Sequence, residues 1–235
     1  MTVLCILQAR FSSTRLPGKV LKPILGEPML ARQIERIARA ARVDALTVAT
    51  SDQASDDGIA ALCERLGVDC YRGSLDDVLD RFYQAARHSG PSHVMRLTGD
   101  CPLTDPAILD ALVELHLTGD FDYSSNVEER TYPDGLDAEV FRYDLLVQAW
   151  QGAMSPYERE HVTPFMREAE SRSRGVLKDG TGMPQRESST YSVRHFERPG
   201  RHRGARPRVA RRQSGRLFDT VFIRVCLKHL SRKYP

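Results

Sequence analysis

From residue 3 to about residue 125 the chain alternates two hydrophobic periods, and this alternation constrains its fold more than any other feature. Apolar runs of strand length occur at 3–7, 45–50, 68–72 and 93–98. Between them, apolar residues recur at helical spacing: Leu30, Ile34, Ile37 and Ala41, then Ile59, Leu62 and Leu66, then Leu75, Val78, Leu79 and Phe82. Strands separated by helices pair side by side through crossovers, so the order predicts a mostly parallel sheet covered by helices, a Rossmann-like doubly wound α/β fold. Asp105-Pro106 opens a further helix reaching His116, because aspartate caps a helix and proline suits its first position. Leu136 to Phe141 alternates as a strand, and 143–154 and 156–170 carry a helical period.

A chain of 235 residues, 41% hydrophobic, can bury a sizeable core. No stretch approaches the roughly 18 consecutive apolar residues of a membrane span. The N-terminus lacks the basic and apolar regions of a signal peptide, so a cytoplasmic location and no membrane partner are expected. The five cysteines, Cys5, Cys63, Cys70, Cys101 and Cys226, show no C-x-x-C spacing, which argues for buried thiols over disulfides or zinc.

Ligands of doubly wound sheets bind outside the carboxyl ends of the strands. The stretch Gln8-Ala9-Arg10-Phe11-Ser12-Ser13-Thr14-Arg15-Leu16-Pro17-Gly18-Lys19 follows the first apolar run and occupies such a position. Its hydroxyls and glycine can offer donors to phosphate oxygens, and Arg10, Arg15 and Lys19 supply countercharge. An ordinary solvated loop is the competing explanation. G-x-x-x-x-G-K-[ST] is absent, and no G-x-G-x-x-G follows a strand, which disfavours P-loop enzymes and nicotinamide dehydrogenases.

The order of residues from Ala9 to Lys19, continued by Leu21-Lys22-Pro23-Ile24 and Gly26-Glu27-Pro28-Met29-Leu30, resembles the signature of the sugar nucleotidyltransferases. It is most similar to the cytidylyltransferase group, which includes spore-coat polysaccharide biosynthesis proteins and acylneuraminate and keto-deoxyoctulosonate cytidylyltransferases. Further blocks match in order: Val48 to Asp52, Asp77 to Phe82, Arg96 to Leu103, Tyr132 to Phe141 and Arg159 to Pro164. The resemblance covers residues 3 to about 170 and implies a fold of the nucleotide-diphospho-sugar transferase type.

The chemistry it implies is attack of a sugar oxygen on the α-phosphorus of a nucleoside triphosphate, CTP by resemblance, with loss of pyrophosphate. Such a displacement depends on charge neutralisation and alignment. By the same resemblance, Ala9, Arg10, Ser12, Ser13, Arg15, Lys19, Thr50, Ser51 and Arg96 would bind the nucleotide, with Arg15, Lys19 and Asp100 catalytic. Asp100, after the run 93–98, would hold Mg²⁺ between phosphate oxygens, or else cap the turn before Pro102. Asp137 and Glu139 share one face of a strand and would contact sugar hydroxyls or metal, or form that strand's solvated face. His161 would lie on the acceptor side, although a histidine in a helix is often structural. Thr50 and Ser51 are alternatively helix caps, and Arg81 has Asp77 as an intrahelical ion-pair partner. Relatives suggest a homodimer.

The resemblance fails near residue 194. Relatives carry a strand like S/T-V-D whose aspartate is implicated as a second metal ligand, but here Ser192-Val193 precedes Arg194. Residues 1–193 hold 21 Lys+Arg against 29 Asp+Glu, whereas 194–235 hold 13 against 2. The expected division is therefore a nucleotidyltransferase-like domain, 1–193, and an irregular arginine-rich segment, 194–235. That segment is either a basic arm of the kind that neutralises nucleic-acid phosphates or the product of a displaced reading frame. From Arg194 to Arg216 it has a single aromatic residue, Phe196, and no lysine, and it starts in mid-motif, so nucleic acid is not the expected partner. Val193 to Gly204 also admits codons in which loss of one base reads Val-Asp-Thr-Ser-Ser-Asp-Leu-Asp-Asp-Ile-Glu, restoring the aspartate and an acidic helix. The functions weighed are CMP transfer to a sugar of surface or spore-coat polysaccharide, transfer of another nucleotide to a sugar 1-phosphate, and a non-catalytic nucleic-acid-binding derivative.

Overall fold

The structure, a computed structural model, describes residues 1–13, 16–127 and 132–168, and the backbone of 193–195. Strand β1 (Val3–Gln8) is followed by a 3-10 turn at Lys19–Leu21 and a short antiparallel pair, β2 (Pro23–Ile24) and β3 (Glu27–Pro28). Then come α1 (Met29–Ile37), β4 (Ala45–Ser51), α2 (Asp57–Leu66), β5 (Asp69–Gly73), α3 (Val78–Arg87) and β6 (His93–Thr98). The chain continues through α4 (Pro106–Thr118), β7 (Tyr123–Ser125), β8 (Glu139–Arg142), α5 (Tyr143–Gly152), α6 (Pro156–His161) and β9 (Val193–His195).

The main sheet runs β5-β4-β1-β6-β8-β7-β9, and β8 alone among its described strands is antiparallel to its neighbours. β1 is central, with Cys5 facing Leu46 of β4 and Met95 of β6. Because both faces of β1 are covered, its side chains from Val3 to Leu7 are apolar without interruption. Val3, Cys5 and Leu7 pack with Leu30, Ile34, Cys63 and Leu112 on one side, whereas Leu4 and Ile6 pack with Leu79, Phe82 and Leu146 on the other. Burying each large apolar side chain contributes about 1.5–3 kcal/mol. Truncating Phe82, which is fully buried, to alanine should cost about 3–5 kcal/mol.

The doubly wound fold and the parallel order of the first four main-sheet strands agree with the sequence pattern. Asp105 caps α4 as expected, accepting from the Ala107 N–H at 3.0 Å. Three short strands were not expected, and two expectations need correction. β7 and the β2–β3 pair lack a readable period because they span three and two residues. The strand expected at 136–141 begins only at Glu139. The helix expected at 156–170 is broken, ending at His161 and resuming over 164–168. Pro164 explains the break, since proline removes a donor and drives the preceding residue out of helical conformation. Strand β9 spans Val193–His195, and residues beyond 195, with the arginine-rich segment expected there, lie outside the described ones. Among the described residues no helix is long and apolar enough to cross a membrane.

Candidate active site

β1 is linked to β4 on one side and, after the crossover through α3, flanked by β6 on the other. The strand order therefore reverses between β1 and β6, which opens a crevice beyond their carboxyl ends. The two ends approach closely: Gly99 N donates to the Gln8 carbonyl at 2.7 Å. A Cβ on Gly99 would stand 2.9 Å from the Ala9 Cβ and 3.0 Å from the Gln8 oxygen, so only glycine fits. The turn that follows carries Asp100.

The loop after β1 is shaped by Phe11, whose carbonyl accepts from both Ser13 N and Gly18 N at 2.8 Å. Gly18 has φ 69°, and an added Cβ would lie 2.6 Å from the Phe11 ring. This closure delivers Lys19 to Asp100, with Nζ donating to Oδ2 at 2.8 Å. Burial alone would raise the Asp100 pKa, but the Lys19 hydrogen bond and charge outweigh it and hold the carboxyl below its ordinary value.

A cavity of about 150 Å³ lies at this edge, lined by Gln8, Ala9, Arg10, Val78, Arg81, Glu160 and His161. Arg10 is exposed and pairs with Glu160 at 3.8 Å. Arg81 is only 1% exposed, yet its Nε and Nη1 find no partner among the described residues. Its expected intrahelical partner is engaged elsewhere: Asp77 caps α3 through Asp80 N and binds Arg159 through both carboxylate oxygens. Burial and then the Arg10 charge push the Arg81 pKa down. A buried guanidinium left with free donors is costly unless something else supplies acceptors.

A second cavity, of about 240 Å³, is lined by Arg96, Thr98, Val127, Asp137, Ala138, Glu139 and Arg167. Among its lining residues is Glu139, which Arg96 and Arg167 both contact and which accepts from Tyr123 OH and, at 2.9 Å, from Thr163 Oγ1. Burial would raise the Glu139 pKa, but the two arginine charges hold it at about 2. Gln8 joins the two cavities: it lines the first and accepts from Arg96 Nε of the second at 3.1 Å.

Of the residues expected to bind nucleotide, Ala9 and Arg10 line the first cavity, Lys19 meets Asp100, and Arg96 lines the second cavity. Ser12 is exposed in the loop, Ser13 lies beside it, and Arg15 lies outside the described residues. The hydroxyls of Thr50 and Ser51 both bond to Asp56, which also accepts from Phe11 N at 2.7 Å. They therefore fasten the loop after β1 to the end of β4. Asp137 and Glu139 share the second cavity, whereas His161 stands in the first, its ring edge-on to Tyr157. Arg81, Arg167 and Tyr123 were not expected at either site, and Glu160 and Thr163 only as parts of the matched Arg159 to Pro164 block; for Arg81 the signal was its place in the Asp77 to Phe82 block. No group of three or more metal-ligating side chains occurs among the described residues.

The family described as Cytidylyltransferase matches residues 4–201. An uncharacterised protein of Methanocaldococcus jannaschii is 41% identical over 168 residues, covering 72% of this chain and 68% of its own length. Spore coat polysaccharide biosynthesis protein SpsF of Bacillus subtilis is 38% identical over 170 residues, 70% of each chain. Among solved structures, a cytidylyltransferase from Leptospira borgpetersenii superposes with a TM-score of 0.73 at 31% identity, covering 85% of this chain and 77% of that one.

Proposed function

The chain belongs to the cytidylyltransferase family, and from that premise we propose that it transfers CMP from CTP to a sugar hydroxyl, releasing pyrophosphate. The observation that carries this reading is Arg81, a buried guanidinium with two unpartnered nitrogens in a cavity at the switch point of the sheet. A nucleotide rich in acceptor oxygens and nitrogens would supply what Arg81 lacks. Arg10 and Lys19 stand on the same edge and would neutralise the triphosphate.

The sugar would enter the second cavity, where Asp137 can accept from its hydroxyls. Glu139 is a poor base, since Arg96 and Arg167 keep it ionised and Tyr123 and Thr163 also occupy its oxygens. Its role in this reading is to hold the two guanidinium groups in place. The acceptor hydroxyl would release its proton to solvent as its oxygen attacks the α-phosphorus, the bond to the departing pyrophosphate would break, and the arginines and Lys19 would absorb the charge that develops.

Family membership implies a divalent cation, and Asp100 fits part of that requirement. It is ionised, at the sheet edge, and its side chain is 42% exposed. Mg²⁺ is commonly held by one or two carboxylates with substrate phosphates completing its shell. Asp100 would be one such ligand, and the cation when bound would neutralise phosphate charge. Calorimetric titration with CTP, UTP, GTP and ATP tests the base, and pyrophosphate release with candidate sugars tests the acceptor. Tighter binding of another triphosphate than of CTP would overturn the base assignment.

A further inference from the structure

The two cavities are joined by a strained turn. Val162 has φ 69° and ψ −55°, a conformation rarely adopted by a β-branched residue. Thr163 N donates to the His161 carbonyl at 2.8 Å across it, which makes a γ-turn of the strained hand. Val162 itself is fully buried in the core that includes Leu79, Phe82 and Leu145, and its N–H bonds to the Glu158 carbonyl at 3.0 Å.

The turn is held from both sides. Upstream, Arg159 binds Asp77 and the Trp150 carbonyl, and Ser155 with Glu158 forms a capping box. Downstream, Arg167 N bonds to the Thr163 carbonyl while the Arg167 guanidinium reaches Glu139 and Tyr123. Strained backbone persists only where its surroundings over-determine it, and such places concentrate at functional sites. On either side of Val162 lie the residues of the two cavities. Glu160 and His161 line the first, and Thr163 Oγ1 bonds to Glu139 of the second.

We propose that Val162 is a positioning residue whose strained turn fixes His161 and Glu160 in the first cavity and Thr163 on Glu139 in the second, so that one rigid connector sets both. The proposal rests on the reading of the first cavity as the nucleotide site. A connector relaxed at this point would still fold, because its anchors at Arg159 and Arg167 remain, but it would no longer hold the two neighbouring side chains in register.

The test compares the full chain with Val162→Ala and Val162→Gly. Alanine keeps the Cβ and the restricted backbone while losing two buried methyl groups; glycine also frees the backbone. Melting temperature, CTP affinity by calorimetry and hydrogen exchange at the Thr163 amide are measured in each. Val162→Ala should melt lower than the parent, bind CTP within about twofold of it and keep Thr163 protected. Val162→Gly should lose CTP affinity at least about fivefold and exchange Thr163 faster, without melting far below the alanine variant. Parent-like CTP affinity in Val162→Gly, or equal losses in the two variants, would overturn the proposal while leaving the nucleotide site standing. A parent chain that binds no CTP would remove the nucleotide site and the proposal together.

Discussion

Lys19 and Asp100 form an ion pair, Nζ to Oδ2 at 2.8 Å, that joins the loop after β1 to the turn after β6. Without ligand each neutralises the other; a triphosphate with its cation would divide them, the lysine going to phosphate and the carboxylate to metal. Lys19→Ala should therefore weaken CTP binding by about 1.5–3 kcal/mol, the usual worth of a charge-assisted hydrogen bond. Asp100→Asn should melt within a few degrees of the parent, since the Asp100 side chain is 42% exposed, but Mg²⁺ should no longer strengthen CTP binding. Calorimetry with and without Mg²⁺ decides both, and unchanged affinity in the lysine variant removes it from the site.

Arg81→Met separates binding from folding. Replacing a buried guanidinium that lacks partners with an apolar side chain of similar length should leave the melting temperature unchanged or raise it. The same change should reduce CTP affinity tenfold or more, about 1.4 kcal/mol. A variant that melts far lower yet binds CTP normally would make Arg81 a structural residue.

The sheet was legible in the sequence because buried strands and amphipathic helices impose different periods, and Val3 to Leu7 or Leu30 to Ile37 repeat them often enough to be read. The loop from Ala9 to Lys19 and the turn at Asp100 were legible because strand ends collect ligands. The Glu139 cluster was not. Its partners Arg96, Tyr123, Thr163 and Arg167 arrive from separate parts of the chain, and no local spacing links them. Arg81 shows the same limit: its spacing from Asp77 suits an ion pair, but Arg159, far along the chain, takes the aspartate. The hydroxyls of Thr50 and Ser51 pointed correctly to a strand end, but not to Asp56 as their acceptor.

Acid should destabilise the protein in two stages. His116 is fully buried among His93, Ser124 and the nearby Arg142 charge. Burial, then the His93 and Arg142 charges, lower its pKa from 6.5 to about 3. The unfolded chain thus binds a proton that the native state refuses, so stability is full above about pH 6.5 and falls as the pH drops towards 3. Glu139, moved from 4.5 to about 2, adds a second loss as the pH falls below 4.5. Each proton can change stability by up to about 1.4 kcal/mol per pH unit. Urea unfolding between pH 7 and 3 should show this decline, and His116→Gln should shrink the part between 6.5 and 4.5, leaving what His93 contributes. A parent profile that stays flat down to pH 4.5 would contradict the assignment of a neutral buried His116.

Strand β9 pairs in parallel with β7, with Arg194 opposite Ser124, so residue 194 belongs to the sheet in which relatives are expected to carry a metal-binding aspartate. An arginine cannot ligate a divalent cation and would repel it. From residue 194 to 216 the chain has nine arginines and one acid, Glu197, whereas the shifted reading that codons for Val193 to Gly204 admit would supply the aspartate and four further acids within ten residues. Three proteins separate the causes: the chain as given, Arg194→Asp, and the product of deleting one base at codon 194. Pyrophosphate release from CTP with Mg²⁺ and a sugar acceptor should be absent or slight in the first and greatest in the third. If Arg194→Asp recovers most of the rate, the lost carboxylate is the defect; if only the frame-restored protein does, the whole following segment is needed. Turnover by the chain as given at the rate of the frame-restored protein would establish the arginine-rich segment as a working part of this protein.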